Sequence, residues 1–298
     1  MIISLLNGGL GNQLFQYAAG RSLASFHCTE HILDISKFSN IAFSNQTPRN
    51  LDIFDFNISS RVAVDEDLIK LRPSNIMLAR VWRSLKNRFF KKYYLDWRPE
   101  LFSGGNQQYL DGYFQSEKYF IDIVDELRNE FTLCDEYLLP IANILNKIQS
   151  DPPSISIHIR RGDYVNNMQI RHIYDICTLD YYTRATQEIL QRYPNARLFI
   201  FSDDVEWVQK NMTAFQNITL VSDMKTISGE NLRPSQELFL MSQCDHHIIA
   251  NSSFSWWGAY LNTSLTKVVI APNLWNRSKL FPQENIIPRS WIRLPVNE

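Results

Sequence analysis

At 298 residues, with 45% hydrophobic residues and 30 Lys+Arg against 31 Asp+Glu, the chain can bury two ordinary cores and carries almost no net charge. A balance of −1 excludes a general electrostatic pull toward nucleic acid or an acidic membrane surface, so any bound anion must be held by local groups. No apolar run approaches the roughly 18 residues of a membrane span, and no basic segment precedes the apolar start MIISLL, so neither a spanning helix nor a signal peptide is expected and a cytoplasmic location follows.

The chain opens on an apolar strand, Ile2 to Leu6, then Gly8-Gly9-Leu10-Gly11-Asn12-Gln13, then a helical pattern over Leu14 to Ala24. A glycine turn between strand and helix lets a ligand approach the backbone closely, here with two amide side chains beside it. The spacing G-G-x-G departs from the G-x-G-x-x-G dinucleotide fingerprint, and Asp34 matches the expected acidic residue only loosely. Residues 31–130 are less regular. Strands are expected at HILDI and LDIFDF, an amphipathic helix at DEDLIKLR, a basic helical run from about Ala79 to Lys92, and an aromatic-rich stretch at YLDGYFQSEKYF.

Asp65-Glu66-Asp67 has the D-x-D spacing of manganese-dependent sugar transferases, but acidic residues opening a helix favour its dipole, and capping is the preferred reading. The basic run Arg83, Lys86, Arg88, Lys91 and Lys92 reads as a solvated helix face, the alternative being peripheral contact with an anionic inner membrane. Tyr94, Trp97, Tyr113, Phe114 and Gln115 are candidates to line a sugar, set against the ordinary role of aromatic residues as core. Cys28, Cys134, Cys177 and Cys244 lie far apart with no CxxC pair and are read as buried thiols.

From residue 151 the pattern becomes strict. Short strands SISIHIR, ARLFIFS, ITLVS, HHIIA and KVVIAP alternate with helical segments, which predicts a doubly wound parallel sheet with ligands beyond the carboxyl ends of its strands. Asp151-Pro152-Pro153 marks the linker. The domains expected are thus 1–150, carrying the glycine turn, and 151–271, with 272–298 packing back across both.

His158-Ile159-Arg160-Arg161-Gly162-Asp163 puts two guanidiniums, an imidazole and a carboxylate at the end of a strand. Adjacent strand residues face opposite ways, so Arg160 shares a face with His158 while Arg161 is free to pair with a carboxylate such as Asp163. A guanidinium whose fork fits two phosphate oxygens suits a diphosphate that gains charge as it leaves. A buried ion pair closing the strand is the bland alternative. Asn251-Ser252-Ser253-Phe254-Ser255 opens the helix after HHIIA, offering a serine cap, free backbone N–H groups and the positive end of a dipole. Asp203 and Asp204 end the strand ARLFIFS; one carboxylate suits a guanine edge or a ribose diol, the other a helix cap. His246 and His247 face opposite ways on a strand and are read as core or interface histidines rather than metal ligands.

GGLGNQLFQYAAGRSLA, YLDGYFQSEKYF, HIRRGDY, FSDD and NSSFSWWGAYL, in this order, resemble the bacterial α-1,2-fucosyltransferases of glycosyltransferase family 11. The resemblance implies a GT-B-like α/β fold of two Rossmann-type domains facing a cleft, with the donor mostly in the second. It implies inverting, metal-free transfer of L-fucose from GDP-fucose to the 2-hydroxyl of a terminal β-galactoside, in O-antigen or lipopolysaccharide synthesis. No cofactor is implied. It assigns the β-phosphate grip to Arg160, with Asn12 facing fucose and diphosphate, and donor binding to His158, Ser252, Ser253 and one of Asp203 and Asp204; the residues beside these, Arg161, Gly9, Gly11, Phe254 and Ser255, are further donor-binding candidates, and Tyr113 and Gln115 are the acceptor-binding candidates. A carboxylate base of related enzymes would fall at Met168, so the base is either Asp163 or absent. The rival readings are a GDP-sugar transferase forming another linkage and, from a different class, a nicotinamide-dependent oxidoreductase using the glycine turn.

Overall fold

The computed structural model describes residues 1–39, 50–71, 97–150, 153–278 and 284–296. The basic run 83–92, Tyr94 and residues 151–152 lie outside them. Two compact units result, one comprising Met1–Phe131 with Lys279–Pro288, the other Thr132–Ser278 with Arg289–Glu298.

The first unit is built on four parallel strands: β1 (Ile2–Leu5), β2 (His31–Asp34), β3 (Arg61–Val62) and β4 (Gln108–Leu110), in the order β3-β2-β1-β4. The following helix starts at Leu10, earlier than its apolar periodicity indicates, and runs to Phe26 with most of its surface buried. Gln13 explains the early start. Its buried amide donates to the carbonyls of Gly8 (3.0 Å) and Asn50 (2.8 Å) and accepts from the Ile53 amide (3.2 Å). The same bond turns the expected strand LDIFDF into a 3-10 turn, Asp52–Asp55, because its backbone satisfies a side chain instead of a neighbouring strand. At Asp67 the carboxylate accepts from the Val64 amide and from Arg61, which occupies the D-x-D segment at the start of helix Asp65–Leu71.

The second unit holds β5 (Ser154–Ile159), β6 (Arg197–Ser202), β7 (Ile218–Leu220), β8 (His246–Ile248), β9 (Val269–Pro272) and β10 (Ile292–Leu294). The five strands read from the sequence are all present, and β10 from the C-terminal stretch adds a sixth. All pair in parallel in the order β10-β9-β8-β5-β6-β7, which is the doubly wound arrangement with β5 at its centre. Along β5 the period of two places Ile155, Ile157 and Ile159 in the core against Tyr181, Ala185 and Ile189 of helix Leu179–Arg192. Each such buried isoleucine contributes about 1.5–3 kcal/mol. The opposite face is polar, with Ser154 bonded to Asp245 and Ser156 to His247.

This unit begins at Thr132, before the expected linker, because helix Ala142–Gln149 turns its apolar face inward and Arg197 at the start of β6 donates to the carbonyls of Lys147 and Ile148. The C-terminal stretch is shared between both units. All four cysteines are free; Cys177 and Cys244 are buried as expected, whereas Cys28 is exposed, in a left-handed turn after the first helix.

Candidate active site

In each sheet the chain reverses its direction of winding beside the central strand, and that switch point is where a crevice opens at the carboxyl ends. In the second unit the switch lies between β5 and β8, so HIRRGDY and NSSFSWW emerge side by side. The Tyr164 hydroxyl donates to the Asn251 carbonyl (3.3 Å), and the His158 ring lies 5.4 Å from that of Phe254. In the first unit the switch lies between β1 and β4, and it joins the glycine turn to the stretch after β4. There the Gln115 amide donates to Asn12 Oδ1 (2.9 Å), Tyr113 is half-buried, and Phe114 adopts a left-handed φ of 50°. Gly8 is left-handed too, and a Cβ on it would meet Asn12 Nδ2 at 2.9 Å. Gly9 heads the helix Leu10–Phe26 with no side-chain cap and open space where a Cβ would be, and Gly11 is buried in its first turn.

Arg160 and Arg161 sit in a cluster of three carboxylates. It is Arg160, not Arg161, that donates to Asp163 (2.5 Å), three residues on in the chain, and it also pairs with Asp203 (2.8 Å), its guanidinium lying 5.5 Å from the centre of the Tyr164 ring. Burial opposes the charge of Arg160, but Asp203 and Asp163 outweigh it and hold the group's pKa above the ordinary arginine value. Arg161 donates to Asp204 (3.1 Å) and stacks over Trp207 at 4.4 Å, while its backbone amide donates to Asp203 (2.8 Å). Gly162 makes this possible: a Cβ there would come within 2.5 Å of Asp203 Oδ2. Asp204 also caps helix Val205–Asn211 through the Trp207 amide (3.0 Å).

His158 is buried, and its Nδ1 has no hydrogen-bond partner among the described residues. Burial, reinforced by the charge of Arg160, pushes its pKa down to about 3, so the ring is neutral at pH 7. At the other strand, Ser252 caps helix Ser253–Leu261 by accepting from the Phe254 amide (3.3 Å), and Ser253 stands half-buried in the first turn. Ser255 is turned inward, its hydroxyl spent on the Ala250 and Ser252 carbonyls, so it shapes the turn. Asn251 ties the site together. Its amide donates to the carbonyls of Tyr174 and Trp275 (both 3.0 Å).

One carboxylate at this edge carries no sequence signal. Glu237 lies in the first turn of helix Pro234–Ser242, half-buried and in no ion pair among the described residues. Burial pushes its carboxyl up to about 7, with Ser222 opposing and Asp203 adding to the effect. Because Gly258 lets Met241 within 2.4 Å of its would-be Cβ, this helix packs closely on helix Ser253–Leu261. His246 and His247 are held as β-strand histidines, the first stacked on Tyr193 at 4.0 Å and the second bonded to Ser156 and Asn262.

The family model of Glycosyl transferase family 11 matches residues 1–295. The chain belongs to glycosyltransferase family 11. Among members and relatives of that family, an α-1,2-colitosyltransferase of Escherichia coli is 30% identical over 99% of both chains. The O-antigen biosynthesis glycosyltransferase WbnK of the same species is 32% identical over 98% of this chain and 99% of its own. The mouse galactoside 2-α-L-fucosyltransferase Sec1 is 26% identical over 86% of this chain and 63% of its own length. In fold, the family 11 chain is similar to NodZ α-1,6-fucosyltransferase soaked with GDP-fucose, with a TM-score of 0.51 at 15% identity over 87% and 91% of the two chains. It is therefore a glycosyltransferase with the GT-B-like pair of Rossmann-type sheets. Among the described residues no helix is long and apolar enough to cross a membrane.

Proposed function

We propose that this family 11 enzyme transfers L-fucose from GDP-fucose to the 2-hydroxyl of a terminal β-galactoside, with inversion and without a metal, in bacterial surface-glycan synthesis. The observation that carries the reading is the convergence of Arg160 and the Ser252–Ser253 turn at one switch point. A fixed cation and a helix N-terminus beside it form a grip for a diphosphate.

As the bond from fucose to the β-phosphate breaks, its electron pair stays on the phosphate and the sugar becomes oxocarbenium-like. Arg160 and the first-turn amides after Ser252 stabilise the charge that collects there. The galactoside oxygen then bonds to the anomeric carbon from the opposite face, and Asp163 takes its proton. Met168, where related enzymes would place a base, is almost fully exposed and has no acid–base chemistry. Neutral His158 offers the nucleotide one hydrogen-bonding nitrogen. Asp203 and Asp204 are both engaged by arginines, so Glu237, in no ion pair among the described residues and hydrogen-bonded by Ser222, is the carboxylate to accept from a guanine N1–H and N2–H.

The α-1,2-colitosyltransferase relative favours one second reading, a colitosyl donor on the same grip. The test is calorimetric titration with GDP, GDP-fucose, UDP-sugars and reduced nicotinamide dinucleotide in EDTA, followed by product linkage analysis on a β-galactoside. Selective binding of GDP compounds and a 1,2-linked fucoside are expected. Failure of folded protein to bind any GDP compound refutes the reading.

A further inference from the structure

In the first unit, a strained stretch after β4 delivers one side chain to the glycine turn. Phe114 holds a left-handed φ of 50°, a conformation that a bulky residue rarely adopts and that folded proteins keep mostly at functional sites. Its ring is buried, edge-on to Tyr119 at 5.5 Å, and the Ser116 amide closes back on the Phe114 carbonyl at 2.8 Å. The tight turn so formed is centred on Gln115. That residue is buried, and its amide donates to Asn12 Oδ1 at 2.9 Å from 103 positions along the chain.

The other amides of the first helix hold backbone. Gln13 ties the Gly8 and Asn50 carbonyls to the Ile53 amide, and Gln16 accepts from the Asn7 amide at 2.8 Å. Asn12 is different, because its side chain is held by another side chain and keeps a group in reserve. Its Oδ1 is engaged, whereas its Nδ2 has no hydrogen-bond partner among the described residues, and the residue is half-buried in the first helical turn. Gly8 leaves room for that nitrogen, since a Cβ there would stand 2.9 Å from it. An amide whose acceptor end is tied down offers only a donor.

We infer that Gln115 is a positioning residue for glycosyl transfer, locking the Asn12 amide so that Nδ2 is held ready as a donor to a substrate oxygen at the first unit's switch point. The inference rests on the reading of the chain as a transferase of sugar from a nucleotide. In place of direct contact with the acceptor, Gln115 acts through Asn12. Without the lock the amide can turn over and set its own oxygen against the substrate's.

A residue that acts through another leaves no mark once the other is gone. Gln115→Met keeps the size but cannot donate, and it should lower kcat/KM about tenfold or more, within the roughly 10²-fold that a misplacement of about 1 Å can cost. In an Asn12→Ala background the same substitution should cost nothing further. Gln115→Glu can only accept, so it draws Nδ2 inward and leaves Oδ1 facing the substrate; it should lose more than Gln115→Met although it keeps a hydrogen bond. Kinetics use the full chain with GDP-fucose and a β-galactoside, and thermal melting verifies folding; if the Met variant does not fold, Gln115→Ser takes its place. A rise confined to KM for the galactoside assigns the oxygen to the acceptor, and a fall in kcat or a rise in KM for GDP-fucose assigns it to the donor. Full activity of a folded Gln115 variant, a Glu variant no worse than the Met one, or an equal further loss in the Asn12→Ala background overturns the inference and leaves the transferase reading intact. Absence of turnover by the wild-type protein overturns both.

Discussion

At the scale of single residues, the site is a problem of keeping opposite charges close without letting them cancel permanently. Arg160 is held by Asp163, Asp203 and the Tyr164 ring, so its position is set before any ligand arrives. Arg160→Ala is expected to fold, melting somewhat below the wild type because Asp163 and Asp203 lose their counter-ion, but to lose roughly 10²-fold or more in kcat, as other transition-state charge donors do. Lysine should restore little, since a point charge cannot span two phosphate oxygens. Steady-state kinetics at saturating donor decide this, and retained turnover in the alanine variant would remove Arg160 from the mechanism. HIRRGDY and NSSFSWW were legible in the sequence because strand ends in a doubly wound sheet have a fixed meaning. Which arginine meets which aspartate was not legible, since that depends on Gly162 giving Asp203 room. Glu237 was invisible for a related reason: its position follows from helix packing through Gly258 and Met241, and no local motif records it.

At the scale of elements, small residues set how closely helices approach sheets. Gly20, inside helix Leu10–Phe26, faces Ser4 of β1 and His31 of β2, and a Cβ there would stand 2.0 Å from Ser4 Oγ and 2.3 Å from His31 Nε2. Both of those side chains are pinned, to each other at 3.0 Å and His31 to Ser60 at 2.8 Å. Gly20→Ala should therefore destabilise the protein by about 1–3 kcal/mol, the usual cost of overpacking, despite alanine's better helix propensity. Denaturant unfolding measures it, and a variant as stable as the wild type would mean the strand residues can yield. The alternation of strands and helices after residue 151 was readable because buried parallel strands are short and β-branched. LDIFDF misled for the opposite reason. Its apolar pattern is real, but Gln13 takes the Ile53 amide that a strand would have offered to a neighbour. The strand β10 was hidden among prolines and tryptophans, where periodicity is too short to register.

At the scale of the whole molecule, the two units share a weakness toward acid. His31 in the first and His158 and His247 in the second are buried and neutral, with pKa values pushed down by burial: to about 3 for the first two, and well below the ordinary value for His247. In the unfolded chain each would take up a proton near pH 6.5. The unfolded state thus binds more protons below that pH, and stability present above 6.5 is lost as pH falls, by about 1.4 kcal/mol per pH unit for each histidine. Loss of tryptophan fluorescence structure is expected between about pH 6 and 4. A protein that stays folded until the carboxylates protonate would show that these rings can open to water. The doubly wound parallel sheet was foreseen, though not its strand order; the boundary between the units was not, since helix Ala142–Gln149 belongs by its apolar face to the second unit although it precedes the proline linker.

Neither unit is a single stretch of chain, because the segment Lys279–Pro288 is counted with the first unit and the residues after it return to the second as the edge strand β10. Recombination between relatives cannot exchange the second unit at one crossover point. A functional chimera would have to carry 132–278 and 289–298 together, leaving the ten residues between them with the recipient. Inheritance of the two units in this lineage is therefore linked, and new specificities should arise more readily by point substitution around the switch points than by shuffling units.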